Sequence, residues 1–162
     1  MLVAYTLTIE STGGSGIVVP GYGFILNNEL TDFDTQVPHP NVPEAGKRPR
    51  SSMAPTIVFA PDGCILSFGS PGGSTIITTV LNIATNVIDF GLDLERAIAA
   101  PRFSQRNNGI IQVDQGFEKS ALGQSLLGLG YQPALANRLS PFSGLNVNSP
   151  DFQSWGVFPI AR

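Results

Sequence analysis

The feature that most restricts the fold is a predicted hairpin that runs through a glycine loop directly into a helix. Residues 56–60 and 64–68 are apolar runs of strand length, separated by Pro-Asp-Gly at residues 61–63. Because proline, aspartate and glycine in that order favour a tight turn, the two runs predict a β-hairpin. The loop GSPGGS occupies residues 69–74, and the apolar run over residues 75–90 is long for a strand. A helix is therefore expected directly after the loop.

Two adjacent glycines, Gly72 and Gly73, stand where that helix would begin. Glycine lets a reacting group approach the backbone closely, and the exposed N–H groups at a helix start favour negative charge. Such a loop can hold a phosphate or the oxyanion of a tetrahedral intermediate. It lacks the Gly-Lys-Ser/Thr ending of a P-loop and the three-glycine spacing of a dinucleotide site. A tight turn without any catalytic part is the alternative.

The rest of the chain predicts strands first, then helices, then strands again. Apolar and polar residues alternate over residues 2–10, which is typical of a half-buried strand. Four prolines favour an extended conformation over residues 35–49. Asp93 can cap a helix that Pro101 ends. The further predicted elements are strands at residues 16–19, 23–26, 110–113, 131–136, 143–147 and 155–160 and helices at residues 94–100 and 118–129.

This order of elements indicates an α+β layered fold, with a single domain over residues 1–162. Only 13% of the residues are charged, which is low for a protein whose whole surface faces water. Either Ser, Thr, Asn and Gln form the surface, or another polypeptide covers part of it. Composition alone leaves these two explanations equal.

Charge and ligand content exclude several classes of function. A net charge of −3 gives no basic footprint, so nucleic acid is not expected as a partner. Cys64 is predicted to be a small buried side chain, and together with His39 it leaves too few ligands for zinc. No metal or other cofactor is expected. Polar residues interrupt the run over residues 75–90, so no membrane span is predicted, and the compartment stays open without a visible signal peptide.

Three further pairs of polar side chains can carry chemistry: Thr8 with Glu10, Glu29 with Asp32, and Ser51 with Ser52. The first pair shares one face of a predicted strand. The second, here called the acidic pair, lies three residues apart in a polar loop and is suited to hold an amino group. The third, the serine pair, follows a basic run, and adjacent hydroxyls can bind a carboxylate. Taken alone, each pair is equally an ordinary loop or strand feature.

Four motifs, in their order along the chain, resemble the small catalytic subunit of the gamma-glutamyltransferases, also called gamma-glutamyltranspeptidases. They read ILNNELTDFD, GKRPRSSMAPTIV, GSPGGSTIITT and DLERAIAAPRF. The resemblance covers residues 3 to about 117 and fades afterwards. It implies the αββα sandwich of the N-terminal nucleophile hydrolases, here partial because the first strand and the large subunit are absent. It also implies a self-cleaving precursor whose new N-terminal threonine attacks the substrate.

The same resemblance implies a role for each candidate residue. Gly72 and Gly73 provide the oxyanion hole, and Thr8 hydrogen-bonds the nucleophile. Glu10 matches a neighbouring polar position of the substrate site. The acidic pair holds the α-amino group of the substrate, and the serine pair binds its α-carboxylate. The implied reaction cleaves gamma-glutamyl amides such as glutathione and transfers the acyl group to water, an amino acid or a peptide, with the large subunit of the same precursor as partner.

Three departures from the family pattern shape the remaining expectations. The family's threonine would lie about one strand's length before Met1, so we expect a truncated small subunit that is inactive alone. Its unpaired strand edges and uncovered apolar surface favour self-association. The loop between Phe33 and Ser51 is shorter than the family's lid-bearing loop, and the ending WGVFPIAR lacks the usual Asp-Pro-Arg type. The short loop hints at a cephalosporin-acylase-like member, and a non-catalytic binding domain is the third possibility.

Overall fold

A computed structural model describes residues 3–11, 13–61, 63–107 and 109–135 of the chain. The described residues contain both helices and sheets, so the predicted α+β class is confirmed. The chain divides into two compact units, of which Tyr5–Ser52 is one and Met53 onwards, with the first residues of the chain, is the other. A single domain over the whole chain stays a prediction.

The larger unit begins with the hairpin and helix that the sequence predicts. Strands β1 (Thr56–Ala60) and β2 (Gly63–Phe68) pair antiparallel. A short 3₁₀ turn over Gly73–Thr75 leads into helix α1 (Ile76–Ile88). One face of α1 packs on the hairpin. The buried apolar residues of this helix recur at intervals of three and four positions, which places them on the same face. The buried cluster consists of Leu66, Phe68, Ile76, Val80, Ile83 and Ala97.

A second helix and a small sheet complete this unit. Helix α2 (Leu94–Ala99) begins at Asp93, whose side chain accepts a hydrogen bond from the Arg96 N–H at 2.9 Å, as predicted. The strands of the sheet are β3 (Phe103–Gln105), β4 (Ile111–Val113) and β5 (Pro133–Leu135). Strand β4 lies in the middle, antiparallel to β3 and parallel to β5. The sequence patterns did not predict β3, because Phe103 is its only apolar residue and it directly follows Pro101-Arg102.

The predicted helix over residues 118–129 is divided in two. A 3₁₀ turn covers Phe117–Lys119, and helix α3 (Ala121–Gly128) starts afresh after Ser120. Ser120 has the extended backbone of a helix cap, and its Oγ accepts from the Gly123 N–H at 3.0 Å. A Cβ on Gly123 would lie 2.1 Å from the Phe117 carbonyl oxygen, so only glycine fits there.

The smaller unit, Tyr5–Ser52, has little regular structure. Its predicted strands at residues 16–19 and 23–26 meet in a single antiparallel bridge between Val18 and Ile25. A one-turn 3₁₀ helix covers Glu29–Asp32. The proline-rich stretch that follows contains neither helix nor strand, as its composition predicts.

The predicted strand at residues 2–10 is not formed within the described part of the chain. No ladder includes residues 3–11, and the apolar face of the alternating pattern is open, with Val3, Tyr5 and Leu7 each about 70% exposed. The reason is that alternation defines two faces, whereas a strand also needs a neighbour to pair with. The predicted strands at residues 143–147 and 155–160 lie outside the described residues. Among the described helices, none has the length and apolar character to cross a bilayer.

Candidate functional site

The acidic pair lies on the 3₁₀ helix Glu29–Asp32. Because a 3₁₀ helix has three residues per turn, side chains three positions apart lie one above the other on the same face. The backbone of this turn therefore presents the carboxylates of Glu29 and Asp32 together. Both residues are half-buried.

Glu10 is held against the same loop by a set of polar contacts. Its Oε2 accepts hydrogen bonds from Ser11 Oγ at 2.6 Å and from Asn28 Nδ2 at 2.8 Å. The N–H of Glu10 donates to Thr8 Oγ1 at 2.7 Å. Glu10 has a φ of 71°, an uncommon conformation for a residue with a side chain, and such outliers cluster at functional sites. The structure thus brings Thr8 and Glu10 next to the acidic pair.

Glu29 is the electrostatically unusual member of this group. Burial first, and then the negative charges of Asp32 and Glu10, raise the pKa of the Glu29 carboxyl. Its Oε2 is buried and has no hydrogen-bond partner. A buried carboxylate oxygen without a donor is costly. The negative charges of Glu29, Asp32 and Glu10, which lie close together, favour a positively charged ligand beside them.

The serine pair follows Arg50, whose side chain contacts Asp34, two residues after the acidic pair. Arg50 Nη1 lies 2.6 Å from Asp34 Oδ2. A hydrogen bond from the Asn41 side chain, helped by the positive charge of Arg50, lowers the pKa of the Asp34 carboxyl. Ser51 is exposed and Ser52 is half-buried. The serine and acidic pairs therefore belong to one compact unit, linked through Asp34 and its neighbours.

Gly72 and Gly73 lie in the larger unit, between β2 and α1. Their φ angles are 135° and 58°, values that side-chain-bearing residues rarely adopt. Among the described residues, the N–H groups of these two glycines have no acceptor, whereas the Gly72 carbonyl accepts from Thr75 Oγ1 at 2.8 Å. A Cβ built on Gly73 meets no atom within 4 Å. Two unused donors beside open space at a helix start can bind a negatively charged oxygen.

The sequence predicted the three pairs and the glycines as candidate residues, but not the amides that contact them. Asn28 binds the Glu10 carboxylate, and Asn41 contacts the loop of Asp32. The Asn27-Asn28 step was visible next to the acidic pair, but its partner lies 18 residues earlier in the chain. Nothing local signals such a contact. Within the ranges that the structure describes, no cluster of three His, Cys, Asp or Glu residues could hold a metal ion.

Comparison with known proteins shows which family this chain is similar to. The profile of the family described as Gamma-glutamyltranspeptidase matches residues 1–153. A curated relative, the glutathione hydrolase proenzyme of Bacillus subtilis strain 168, is 44% identical over 131 residues, covering 81% of this chain and 22% of that protein. The chain therefore spans about a fifth of the length of this relative. The Acylase ACY 1 proenzyme of Pseudomonas strain SE83 is 30% identical over 149 residues, 90% of this chain and 25% of that one.

Among solved structures, a mutant gamma-glutamyltranspeptidase from Helicobacter pylori resembles this chain with a TM-score of 0.73 at 38% identity. The match covers 83% of this chain and 78% of that chain. The crystallised chain is thus of similar length to this one, whereas the Bacillus proenzyme is several-fold longer.

Proposed function

Because this chain belongs to the gamma-glutamyltranspeptidase family, a family of enzymes, we propose that the full-length protein cleaves gamma-glutamyl amides such as glutathione. The acyl group would pass to water, an amino acid or a peptide. The family and the α+β fold of the N-terminal nucleophile hydrolase type, both predicted from the four motifs, are confirmed. The assignment of individual residues is part of the proposal.

The observation that carries the proposal is the acidic pair itself, two half-buried carboxylates on one turn, where burial and the charges of Asp32 and Glu10 raise the pKa of Glu29. A gamma-glutamyl group ends in an α-ammonium, which has three N–H donors and a positive charge. Bound here, it would offset the repulsion between the two carboxylates. Glu10 would add to the negative field. The serine pair, with two hydroxyl donors, would bind the neighbouring α-carboxylate.

The glycine loop would provide the oxyanion hole. As the amide is attacked, its carbonyl oxygen gains negative charge, and donors placed in advance stabilise that charge. The unused N–H groups of Gly72 and Gly73 at the start of α1 support this role.

Thr8 would position the attacking threonine. Its Oγ1 already accepts from the Glu10 N–H, which fixes the orientation of the side chain. A hydroxyl also has one proton to donate. That proton, for which the described residues offer no acceptor, would go to the oxygen of the nucleophile.

We also propose that a second polypeptide, corresponding to the large subunit, covers part of this chain. Only 13% of the residues are charged. The exposed large apolar side chains include several with more than 65% of their surface accessible: Val3, Tyr5, Leu7, Tyr22, Leu30, Val37, Phe59, Phe90 and Leu129. Apolar surface of this extent supports a protein partner, and self-association of the chain alone stays a prediction.

The hypothesis of an acylase receives less support than that of an enzyme acting on gamma-glutamyl amides. Identity to the acylase is 30%, against 44% to the glutathione hydrolase. The acidic pair also gives a physical reason, because an acyl group without an amino group would leave Glu29 and Asp32 unpaired.

One assay separates the three candidate functions. The full-length protein is mixed with gamma-glutamyl-p-nitroanilide and, separately, with glutaryl-p-nitroanilide, which lacks only the α-amino group. Preference for the first supports the proposal, and preference for the second supports an acylase. Glutamate binding without turnover of either would support a non-catalytic domain. The 162-residue chain alone, assayed beside it, is expected to stay at background.

Asp32→Ala is expected to weaken substrate binding more than turnover. Loss of a charged contact to the ammonium costs about 1.5–3 kcal/mol, which corresponds to a rise in KM of roughly ten- to a hundredfold. KM and kcat for gamma-glutamyl-p-nitroanilide in the full-length protein give the measurement. Asp89→Ala serves as control, since Asp89 is an exposed residue at the end of α1. An unchanged KM in the Asp32 variant would remove this residue from the ammonium site.

The raised pKa of Glu29 predicts a pH dependence with two opposite effects. Protonation removes the charge that holds the ammonium, so KM should rise as the pH falls through the raised pKa of Glu29. The free energy of unfolding should instead increase as the pH falls through the same range. The folded state binds this proton more tightly than the unfolded state, so the charged carboxylate lowers stability as the pH rises through that range.

Glu29→Gln tests both effects. We expect it to raise KM at neutral pH, to flatten the acidic limb of kcat/KM and to raise the neutral-pH Tm slightly. A variant that keeps the wild-type acidic limb would show that another group titrates there.

A further inference from the structure

Asn41 joins the loop of the acidic pair to the segment of the serine pair. Its Nδ2 donates to the Asp32 carbonyl oxygen at 2.7 Å and to Asp34 Oδ2 at 2.9 Å. Its Oδ1 accepts from the Arg50 N–H at 3.1 Å. The half-buried side-chain amide of Asn41 thus uses both its nitrogen and its oxygen. The partner of that oxygen, Arg50, directly precedes Ser51.

Two further contacts close the connection. The backbone N–H of Asp34 donates to the Asn41 carbonyl oxygen at 3.0 Å, and the Asp34 carboxylate contacts the Arg50 guanidinium at 2.6 Å. His39 Nδ1 lies 3.2 Å from that carboxylate but accepts from the Asn41 N–H at 3.1 Å. The ion pair of this set is Asp34 with Arg50. We name the set Asn41, Asp34 and Arg50 the amide brace.

The brace contributes little to stability by itself. Arg50 is more than half exposed, and ion pairs at the surface gain little because water screens them. Its value lies in geometry. Within the smaller unit, the acidic and serine pairs are about twenty residues apart in sequence, on a segment with almost no helix or strand to fix their spacing.

The substrate makes that spacing critical. In a gamma-glutamyl group the ammonium and the carboxylate are attached to the same carbon atom, so their separation cannot adjust to the protein. Contacts to both groups form together only when the protein fixes the two pairs to well under an ångström.

We propose that the amide brace is a positioning device that sets the acidic pair against the serine pair, so that both charged groups of one gamma-glutamyl head group bind together. This inference rests on the proposed function. It assigns Asn41 as the central positioning residue, with Asp34 and Arg50 as its supports. The brace acts on substrates that carry both charges and has little effect on those that carry one.

The test compares two substrates in the full-length protein. Asn41→Ala should raise KM for gamma-glutamyl-p-nitroanilide by about ten- to a hundredfold. For glutaryl-p-nitroanilide, which lacks the amino group, kcat/KM should change by less than about threefold, since that substrate uses only one of the two pairs. Glu44→Gln is the matched control. It breaks the exposed Glu44–Lys47 pair of the same unit, 3.3 Å long, which takes no part in the contacts of Asn41, Asp34 and Arg50 described above.

Two variants of Arg50 keep the test decisive if Asn41→Ala does not fold. Arg50→Met should raise KM for the gamma-glutamyl substrate by a smaller factor, and Arg50→Lys, which retains the charge, should recover part of it. Thermal midpoints of all variants are measured alongside.

The outcomes separate the two proposals. An active wild type whose Asn41 and Arg50 variants keep their KM overturns the brace alone. Equal losses on both substrates also overturn it, because they indicate a merely structural role. A wild type that neither cleaves the gamma-glutamyl substrate nor binds glutamate overturns the proposed function, and the brace with it. Selective loss on the gamma-glutamyl substrate supports both.

Discussion

Gly73→Val in the full-length protein is expected to lower kcat for a gamma-glutamyl amide by about 10²–10³-fold. This is the typical consequence of losing one oxyanion donor. The space beside Gly73 is empty to at least 4 Å, so a valine side chain would fit there without a steric clash. It would, however, occupy the space that the proposed function assigns to the acyl group.

The same substitution also changes the backbone. Gly73 has a φ of 58°, and a side chain in this left-handed conformation costs about 1–2 kcal/mol. A branched residue would tend to rotate the peptide and turn its N–H away from the substrate. Folding should suffer less than catalysis, because the loop contributes little to the core.

Gly91→Val separates these effects. Gly91 has a φ of 64° and also has nothing within 4 Å of its Cβ position, but it lies in the loop after α1. It should lose a similar amount of stability and retain kcat. If Gly73→Val keeps its rate within a few-fold of the wild type, the glycine loop is only a turn. If rate and Tm fall together, the milder Gly73→Ala decides between the two.

Asp114→Ala is expected to destabilise the protein by about 3–5 kcal/mol. Arg102 is only 7% exposed, and its Nε lies 2.9 Å from Asp114 Oδ2. The same oxygen accepts from the Arg102 N–H at 3.2 Å. Removing the carboxylate leaves a buried guanidinium without its counter-charge, at the end of the ladder where Arg102 precedes β3 and Asp114 follows β4. Urea unfolding of the purified full-length protein, with the slope compared between variants, gives the free energy of unfolding.

The control for this experiment is an exposed pair in the same unit. Arg96→Met breaks the contact with Asp93, in which both side chains are more than half exposed, and should cost no more than about 1 kcal/mol. Replacing both Arg102 and Asp114 by apolar residues should recover much of the lost stability. A loss from Asp114→Ala no larger than that of the control would show that the pair is effectively solvated.

The hairpin, the main helix and the cap of the second helix could be predicted from the sequence because their causes are local. Strands β1 and β2 pair on either side of the Pro-Asp-Gly sequence, and the apolar spacing over Ile76–Ile88 fits one helical face. Asp93 bonds a backbone group three residues away. In each case, the signal and the group it acts on lie within a few positions of each other.

The candidate site was predictable only as separate short motifs. Which residues hold those motifs in place depends on contacts between distant positions, such as Asn28 with Glu10 and Asn41 with Arg50. A single sequence carries no signal that predicts such contacts, because any Asn in a polar loop could make them.

What the sequence by itself determined is therefore the order of local elements, the family and the chemical types of the candidate residues. The tertiary structure decided three other points. It divided the predicted helix over residues 118–129 at Ser120, beside the buried Phe117, whose ring packs against that of Phe103. It left the alternating residues 3–9 without a paired neighbour, and it left one oxygen of Glu29 buried without a donor. Each of these depends on contacts between residues in the folded protein. Burial and pairing contribute free energy only through such contacts, which the order of residues alone does not specify.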